Sequence, residues 1–337
     1  MRPAHVMRHT DDAWMQAAAN FAAQGRPLSR PNPAVGAILV ANGPATGKVV
    51  GRGHTHATGR PHAEAIALAM AGAASHGATL YVTLEPCAHV SARGPACADL
   101  VIAARPARVV IGCTDPDPRT AGSGIARLRD AGIRVDLIDS AAARASLIGY
   151  LLRTQAARPH VTLKLATSLD GRIALASGES QWITGAAARA HVHATRARAD
   201  AILVGGATFR ADQPQLDVRL PGLESRSPER WVLTRGRMPD PMPDGWRTVA
   251  DITAPGAFGS AQYLYIEGGA GAAATFLAAD RVDRLMVYRA PIVIGAGLAA
   301  VGDIGLDQLS HAHGRWQLIE QRRLGSDALD IYDRLRG

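Results

Sequence analysis

Four side chains between positions 62 and 97 have the types and spacing for metal-assisted hydrolysis. His62 and Glu64 stand two apart in Pro61-His62-Ala63-Glu64, and two thiols follow, Cys87 in Glu85-Pro86-Cys87 and then Cys97. One imidazole and two thiolates suit zinc. Three protein ligands leave the fourth tetrahedral position open for water, which distinguishes a catalytic site from a structural one. Glu64 is not needed as a ligand, and a spare carboxylate beside that water can take a proton and return it. Read singly, His-x-Glu at a helix start is a surface cap and a lone Cys is a small core residue. Their combination predicts zinc on His62, Cys87 and Cys97, with Glu64 as acid and base.

The elements that must position these groups follow from local pattern. His62 to Ser75 carries Ala, Ile, Leu and Met at helical spacing, with Pro61 suited to the first turn. Ala78 to Leu84 reads as a strand ending just before Cys87, and Cys97 opens the helix Ala98 to Ala104. A helix start favours the thiolate that zinc needs. Upstream, Thr10-Asp11-Asp12 reads as the N-cap and first turn of a helix to about Gln24. The strand Val35 to Val40, a turn at Asn42-Gly43-Pro44 and the strand Lys48 to Gly53 predict a hairpin. Downstream come a strand at Ala107 to Ile111, a helix near Ile125 to Ala131, a strand at Ile133 to Leu137 and a helix from Ala141 to Arg153. This alternation predicts an α/β sandwich. Cys113 reads as a core thiol, and His54 and His56 as solvated loop residues.

His-x-Glu followed by Pro-Cys is the pattern of the zinc deaminases, and those acting on nucleosides and polynucleotides continue as Pro-Cys-x-x-Cys. Here position 90 is Val, and the next Cys lies ten residues after Cys87. Asn32-Pro33-Ala34-Val35-Gly36, Gly59-Arg60-Pro61-His62-Ala63-Glu64 and Thr83-Leu84-Glu85-Pro86-Cys87-Ala88-His89, with that longer spacing, resemble the deaminase of riboflavin biosynthesis. The resemblance implies a cytidine-deaminase-like α/β/α sandwich acting on a diamino-pyrimidinone ribosylamino phosphate, with substrate contacts at Asn32 and His89. The segment Val90 to Ala96 departs from the family's Lys/Arg-Thr-Pro-Pro run and is one residue longer.

A second α/β unit opens with the strand His160 to Ala166, followed by the polar stretches Thr167 to Arg172 and Ser177 to Gly185. A helix to about Arg198 and strands at Asp200 to Val204, Trp231 to Thr234, Gln262 to Ile266 and Asp283 to Tyr288 follow. Glu267-Gly268-Gly269-Ala270-Gly271 ends one strand and opens a helix, a geometry that cradles phosphate with main-chain amides. No Gly-x-Gly-x-x-Gly follows this unit's first strand, which argues against the usual dinucleotide fold.

The runs Lys164 to Gly185 and Asp200 to Arg219, with the Glu267-Gly268-Gly269 turn, resemble the reductase domain fused to this deaminase in bacteria. The resemblance implies a dihydrofolate-reductase-like fold that uses NADPH to reduce a ribosyl group to ribityl. It implies cofactor contacts at Ala166, Trp182, Thr208, Asp212, Gly269, Ala270 and Gly271. Substrate contacts are implied at Ser180, Arg196, Leu216, Arg219 and Glu267, the arginines through phosphate. Arg235 is the candidate for the cofactor's 2′-phosphate. Lys164 is one of only two lysines in a chain that otherwise writes its cations as Arg. A compact ammonium suits a contact at the ribosyl C1′, with Glu267 nearby.

A chain of 337 residues with 47% hydrophobic composition supplies two cores. The reading divides it into a zinc-dependent deaminase domain at 8–153, a linker at 154–159 and an NADPH-dependent reductase domain at 160–337. No apolar run approaches the ~20 residues of a membrane span, and Met1 to Thr10 lacks the apolar core of a secretory signal. Three Cys build no disulfide framework, so a cytoplasmic protein is expected. The net charge of +8 is spread among acids without a basic block, and aromatics are only 4%, which disfavours a nucleic-acid partner. The expected partner is a small phosphorylated pyrimidine. The resemblance implies a homo-oligomer assembled through the reductase domain.

Overall fold

The apolar run after Pro33 becomes β1 (Gly36–Val40), buried along its whole length. It pairs antiparallel with β2 (Val49–His54) on one side and with β3 (Thr79–Val82) on the other. Beyond β3, β4 (Arg108–Ile111) and β5 (Arg134–Leu137) add in parallel, giving the order β2-β1-β3-β4-β5. The structure, a computed structural model, describes residues 4–42, 47–89, 92–234, 236 and 242–336. The chain divides into two compact units, Met1–Ala157 and Arg158–Gly337.

Helices α1 (Ala4–Ala22), α2 (Ala63–Ala71), α3 (Cys97–Ala104), α4 (Ser123–Asp130) and α5 (Ala141–Ala156) cover both faces of the first sheet. Strand alternation decides which helix meets which side chain. Leu39, Leu80, Val82 and Val109 pack under Ala67 of α2, Val101 of α3 and Leu128 of α4. Ile38, Val40, Tyr81 and Val110 face Met15 and Ala18 of α1 and Ala143 of α5. Helix α2 lies directly on the backbone of β2. A Cβ added at Gly51 or Gly53 would come within 2.2 Å of the Ala67 or Ala63 carbonyl oxygen. Those two glycines allow the close approach that fixes the start of α2 over the sheet.

Four expectations shift. Helix α1 starts at Ala4 and runs through Thr10. Asp11 is no first-turn acid: it accepts two hydrogen bonds from Arg108, at 2.9 and 2.8 Å, and one from Tyr81 Oη at 2.9 Å. The N-cap of α2 is His62, so Pro61 lies before the helix. Helix α5 continues to Ala156, which absorbs the first half of the expected linker. The turn expected at Asn42-Gly43-Pro44 lies partly outside the described residues.

In the second unit, β6 (His160–Thr167) lies between β11 (Tyr263–Ile266) and β12 (Arg284–Arg289). The same sheet contains β8 (Ala201–Gly205), β9 (Glu229–Leu233), β10 (Trp246–Val249), β14 (Trp316–Leu324) and β15 (Asp327–Arg334). Its eight-stranded order is β10-β9-β8-β11-β6-β12-β15-β14. The strands from β10 to β12 are parallel, and the last two turn antiparallel. A separate pair joins β7 (Arg172–Ala174) to β13 (Leu298–Ala299). One face of the large sheet packs on α8 (Ala270–Ala278), through Leu163, Leu264 and Phe276. The other packs on α6 (Ala186–Arg196) and α7 (Gly206–Asp212), through Tyr265, Tyr288, Val192 and Phe209. Sequence pattern missed α7, β7, β10, β13 and the β14–β15 hairpin. Among the described residues no helix is long and apolar enough to cross a membrane.

Candidate active sites

Three element ends converge in the first unit. His62 caps α2, Cys87 lies beyond the end of β3, and Cys97 is the first residue of α3. Their ligand atoms all lie within 4.8 Å of one another. His62 Nδ1 stands 3.2 Å from Cys97 Sγ and 3.6 Å from Cys87 Sγ, and the Cys97 main-chain N–H donates to Cys87 Sγ at 3.3 Å. Cys87 is held far below the ordinary thiol range, first by its hydrogen bond with Cys97 and then, against burial, by His62. Cys97 is pushed up by the same pairing and by burial. One nitrogen and two sulfurs at this separation form a donor set for zinc rather than for magnesium or calcium. The opposite edge of the His62 ring meets Asn32, whose Nδ2 lies 3.4 Å from Nε2 and donates to the Gly59 carbonyl at 3.2 Å. Nδ1 is thereby left to the sulfurs.

Glu64 is 3% exposed, and its Oε2 has no hydrogen-bond partner among the described residues. Burial raises its carboxyl to about 7 against the pull of His62. Glu64 lines the same cavity of about 340 Å³ as His62, Cys87, Asn32 and His89. An unpartnered carboxylate oxygen in a buried polar pocket needs a water or a ligand to satisfy it. That fits a site built around a metal-activated water.

Glu85, inside the Pro-Cys motif, does something the motif did not reveal. It accepts main-chain hydrogen bonds from Gly122 at 3.0 Å, Gly124 at 2.9 Å, Ile125 at 3.1 Å and Asp115 at 3.3 Å. The carboxylate thus satisfies orphan donors at the start of α4 and anchors the residue two before Cys87. Cys113 stands outside the triad and donates its S–H to the Thr83 carbonyl. His54 is not simply solvated: it packs edge-on against Phe21 at 5.2 Å, while His56 is exposed. Residues that sequence reasoning did not single out also line the cavity: Arg60, Arg119, Asp115 and Tyr150. The repeated Asp-Pro of Asp115-Pro116-Asp117-Pro118 at the end of β4 was an available signal.

In the second unit, Lys164, Glu267 and Arg196 meet. Lys164 alternates with the buried Leu163 and Leu165 on β6, and its Nζ stands 3.6 Å from Glu267 Oε2. Arg196 Nε and Nη2 donate to the two Glu267 oxygens at 2.6 and 3.0 Å, and Nη1 donates to the Asp217 carbonyl at 2.9 Å. Burial pushes the Glu267 carboxyl up, but Lys164 and Arg196 together hold it below its ordinary value. Arg196 is therefore an internal partner of Glu267, not an exposed cation like Arg219. Arg219 has an exposed side chain beside Asp217 at 3.1 Å, and its main-chain N–H donates to His193 Nδ1 at 3.2 Å.

The Glu267 turn leads into α8, whose N-cap Gly269 offers no side-chain cap. A Cβ on Gly269 would stand 3.4 Å from Thr208 Oγ1, so this turn and α7 adjoin, and a Cβ on Gly271 would meet nothing within 4 Å. Uncapped amides beside open space fit a phosphate of a dinucleotide. The remaining expected residues are dispersed in character. Trp182 is 66% exposed, with the Arg189 guanidinium 4.8 Å from its ring centre. Asp212 is exposed at the end of α7, Ser180 and Ala166 are half-buried, and Leu216 is buried in the core with a φ of 53°. Arg235 lies outside the described residues.

Comparison with known proteins agrees with both units. Residues 8–113 match the cytidine and deoxycytidylate deaminase zinc-binding region, and residues 159–253 and 259–329 match the RibD C-terminal domain. The riboflavin biosynthesis protein RibD of Escherichia coli K12 is 36% identical over 94% of this chain and 97% of its own length. The solved structure of Acinetobacter baumannii RibD superposes with a TM-score of 0.83 at 34% identity, over 97% of this chain and 99% of that one. A Thermotoga maritima structure, described as a diaminohydroxyphosphoribosylaminopyrimidine deaminase/5-amino-6-(5-phosphoribosylamino)uracil reductase, gives 0.81 at 28% identity with the same coverage. With the His/Cys/Cys cluster in its first unit and the RibD C-terminal domain in its second, the chain belongs to the RibD family of bifunctional riboflavin biosynthesis deaminase/reductases.

Proposed function

We propose that the first unit deaminates 2,5-diamino-6-(ribosylamino)-4(3H)-pyrimidinone 5′-phosphate and that the second reduces the ribosyl group of the product to ribityl with NADPH. The observation that carries the first step is the unpartnered Glu64 Oε2 beside His62, Cys87 and Cys97. Zinc, when bound by those three residues, supplies the Lewis acidity that makes water nucleophilic at neutral pH. Glu64 takes the proton of that water during attack on the amino-bearing ring carbon and returns it to the departing ammonia. Asn32 keeps the His62 ring turned towards the sulfurs. With His89 it borders the space for the pyrimidine.

In the second step NADPH, when bound, supplies hydride to C1′. The α8 N-terminus at Gly269, Ala270 and Gly271, with Thr208 adjoining, holds its phosphates. Ala166, Trp182 and Asp212 complete the cofactor's surroundings. Lys164 polarises the ribosyl C1′, Glu267 orients Lys164, and Arg196 fixes Glu267. Arg219 meets the substrate phosphate, with Ser180 and the Leu216 backbone flanking it. Three unpaired, buried thiols suit a reducing cytoplasm. The family resemblance supports self-association through the second unit.

The test is incubation of the zinc-loaded protein with the diamino-pyrimidinone phosphate, with and without NADPH. Ammonia should appear in both reactions and NADPH oxidation only after ammonia release. NADPH oxidation without prior deamination would reverse the assigned order.

A further inference from the structure

Helix α6 presents two side chains to the segment that ends at Arg219. Arg196 donates to the Asp217 carbonyl at 2.9 Å, and His193, three residues earlier on the same face, accepts the Arg219 main-chain N–H at 3.2 Å. The segment has a third tie, from the Val218 N–H to Ser227 Oγ at 3.0 Å, and it begins at Leu216 in the left-handed region. The main-chain N–H of Arg219 can only donate. His193 Nδ1 must therefore be unprotonated, which leaves the ring's proton on Nε2. No role assigned above uses His193.

We propose that His193 is a positioning residue for substrate capture: its neutral Nδ1 holds Leu216 to Arg219 so that the Arg219 guanidinium meets the substrate phosphate, and protonation of the ring releases that segment. This rests on the reading of Arg219 as the phosphate contact. A protonated ring would turn an N–H towards the Arg219 N–H, replacing a hydrogen bond by two opposed donors. The charged groups around the ring are Arg196 on its own helix, Arg219 on the facing segment and Glu267 beyond β11, and Asp217 meets the ring through its main chain. Burial first, then Arg196 and Arg219, lower the ring's pKa below 6.5, against Glu267 and a hydrogen bond with the Asp217 main chain, and the lowering causes prevail. The neutral form consequently prevails at neutral pH and is lost in acid.

The experiment measures reductase KM and kcat for the deaminated ribosylamino phosphate, using the full-length zinc-loaded protein at saturating NADPH, across the histidine range from about pH 5 to about pH 8. H193N retains an acceptor near the Nδ1 position but does not titrate, whereas H193L has neither property. H193L is expected to raise KM about tenfold at neutral pH, the worth of one hydrogen bond, with little change in kcat. H193N is expected to keep the parent KM at neutral pH and to lose the parent's extra rise in KM in acid. The substrate phosphate itself titrates near about pH 6 in every variant, so the difference between the parent and H193N profiles isolates the ring.

H193L at parent KM while R219Q raises KM overturns the proposal. So does an acid rise in H193N as steep as the parent's. R219Q at parent KM overturns the phosphate reading instead, and the proposal with it. Ammonia release and the unfolding midpoint report whether each variant is folded, and H193N decides the question if H193L does not fold.

Discussion

Arg196 and Glu267 form a two-pronged ion pair, with Nε and Nη2 donating to the two carboxylate oxygens at 2.6 and 3.0 Å, and both side chains are at most 10% exposed. The third donor, Nη1, is engaged by Asp217. Removing one partner of a buried pair leaves the other charge stranded, at a cost of about 3 kcal/mol or more. Arg196→Met should lower the unfolding free energy of the second unit by about that amount and abolish NADPH oxidation, with ammonia release intact. Arg196→Lys should recover part of the stability but not the fork. Denaturant titration followed by the two assays tests this, and an unchanged unfolding midpoint in Arg196→Met would refute it.

Lys164 contributes a point charge 3.6 Å from the same carboxylate. A guanidinium at that place is larger and presents its donors in a plane, so it would not direct one N–H at the ribosyl C1′. Lys164→Arg should keep the fold and the cofactor affinity but lower reductase kcat by at least about tenfold, within the range of a lost general acid or polarising group. Normal turnover in this variant would remove Lys164 from the chemistry.

The contrast between these two residues shows where sequence stops. The proximity of Lys164 and Glu267 was anticipated because both were assigned to the ribosyl group, and register accounts for it: Ile266 pairs with Leu163, which brings Glu267 at the end of β11 level with Lys164 within β6. The fate of Arg196 was not legible. A helical Arg facing a substrate and one facing a carboxylate 71 residues away look alike in sequence. The zinc residues were legible because ligand type and spacing leave little freedom once each sits at an element terminus. Glu85 was not legible as a cap, since its hydrogen-bond partners, Asp115 and the start of α4, lie about thirty to forty residues downstream. The β14–β15 hairpin escaped detection for a different reason. Most of β14 is exposed at the sheet edge, so Gln317, Glu320, Gln321, Arg322 and Arg323 interrupt any apolar alternation.

Glu64→Gln is nearly isosteric and leaves the three candidate ligands in place. It should bind zinc at the parent stoichiometry and lose ammonia release by about 10²- to 10⁴-fold, the usual weight of a general acid–base residue. Chelating the metal from the parent should likewise stop ammonia release, while reduction of the already deaminated substrate continues in the second unit. Metal analysis alongside both assays checks the pair. Residual deamination by Glu64→Gln above a tenth of the parent rate would rule out its assignment.

Asp283 supplies a pH dependence of stability. Its carboxylate accepts from Arg158 Nη1 at 2.7 Å and Nη2 at 2.9 Å, from the Val161 N–H at 2.8 Å, and from Arg336. Burial pushes this carboxyl up, but Arg158, His160 and the Val161 amide hold it below its ordinary value. A folded-state pKa below the unfolded one means that the stabilisation is complete above the unfolded value of about 3.9. It is lost as pH falls through the folded value. Asp283→Asn should therefore destabilise the second unit by about 3 kcal/mol at neutral pH. The gap to the parent should narrow as pH drops from about 4 towards the folded pKa. Urea unfolding at stepped pH measures this, and a gap independent of pH would show that the carboxylate charge is not what matters.

Glu85 connects the first unit's fold to its metal site. Its two oxygens accept four main-chain N–H groups, three of them from Gly122, Gly124 and Ile125 around the start of α4. Glu85→Gln replaces one acceptor oxygen by an NH₂ group, which sets donor against donor wherever it falls. The substituted side chain must retreat from α4, and through Pro86 the displacement reaches Cys87. Losing one charge-assisted cap costs about 1 to 2 kcal/mol of stability. Outer residues that orient metal ligands typically carry about 10- to 100-fold in affinity. Glu85→Gln should accordingly bind zinc at least about tenfold more weakly, with deamination recoverable at high zinc and reduction of the deaminated substrate untouched. Competition against a calibrated chelator gives the affinity. Parent-like zinc binding with a lowered unfolding midpoint would confine Glu85 to capping α4 and detach it from the placement of Cys87.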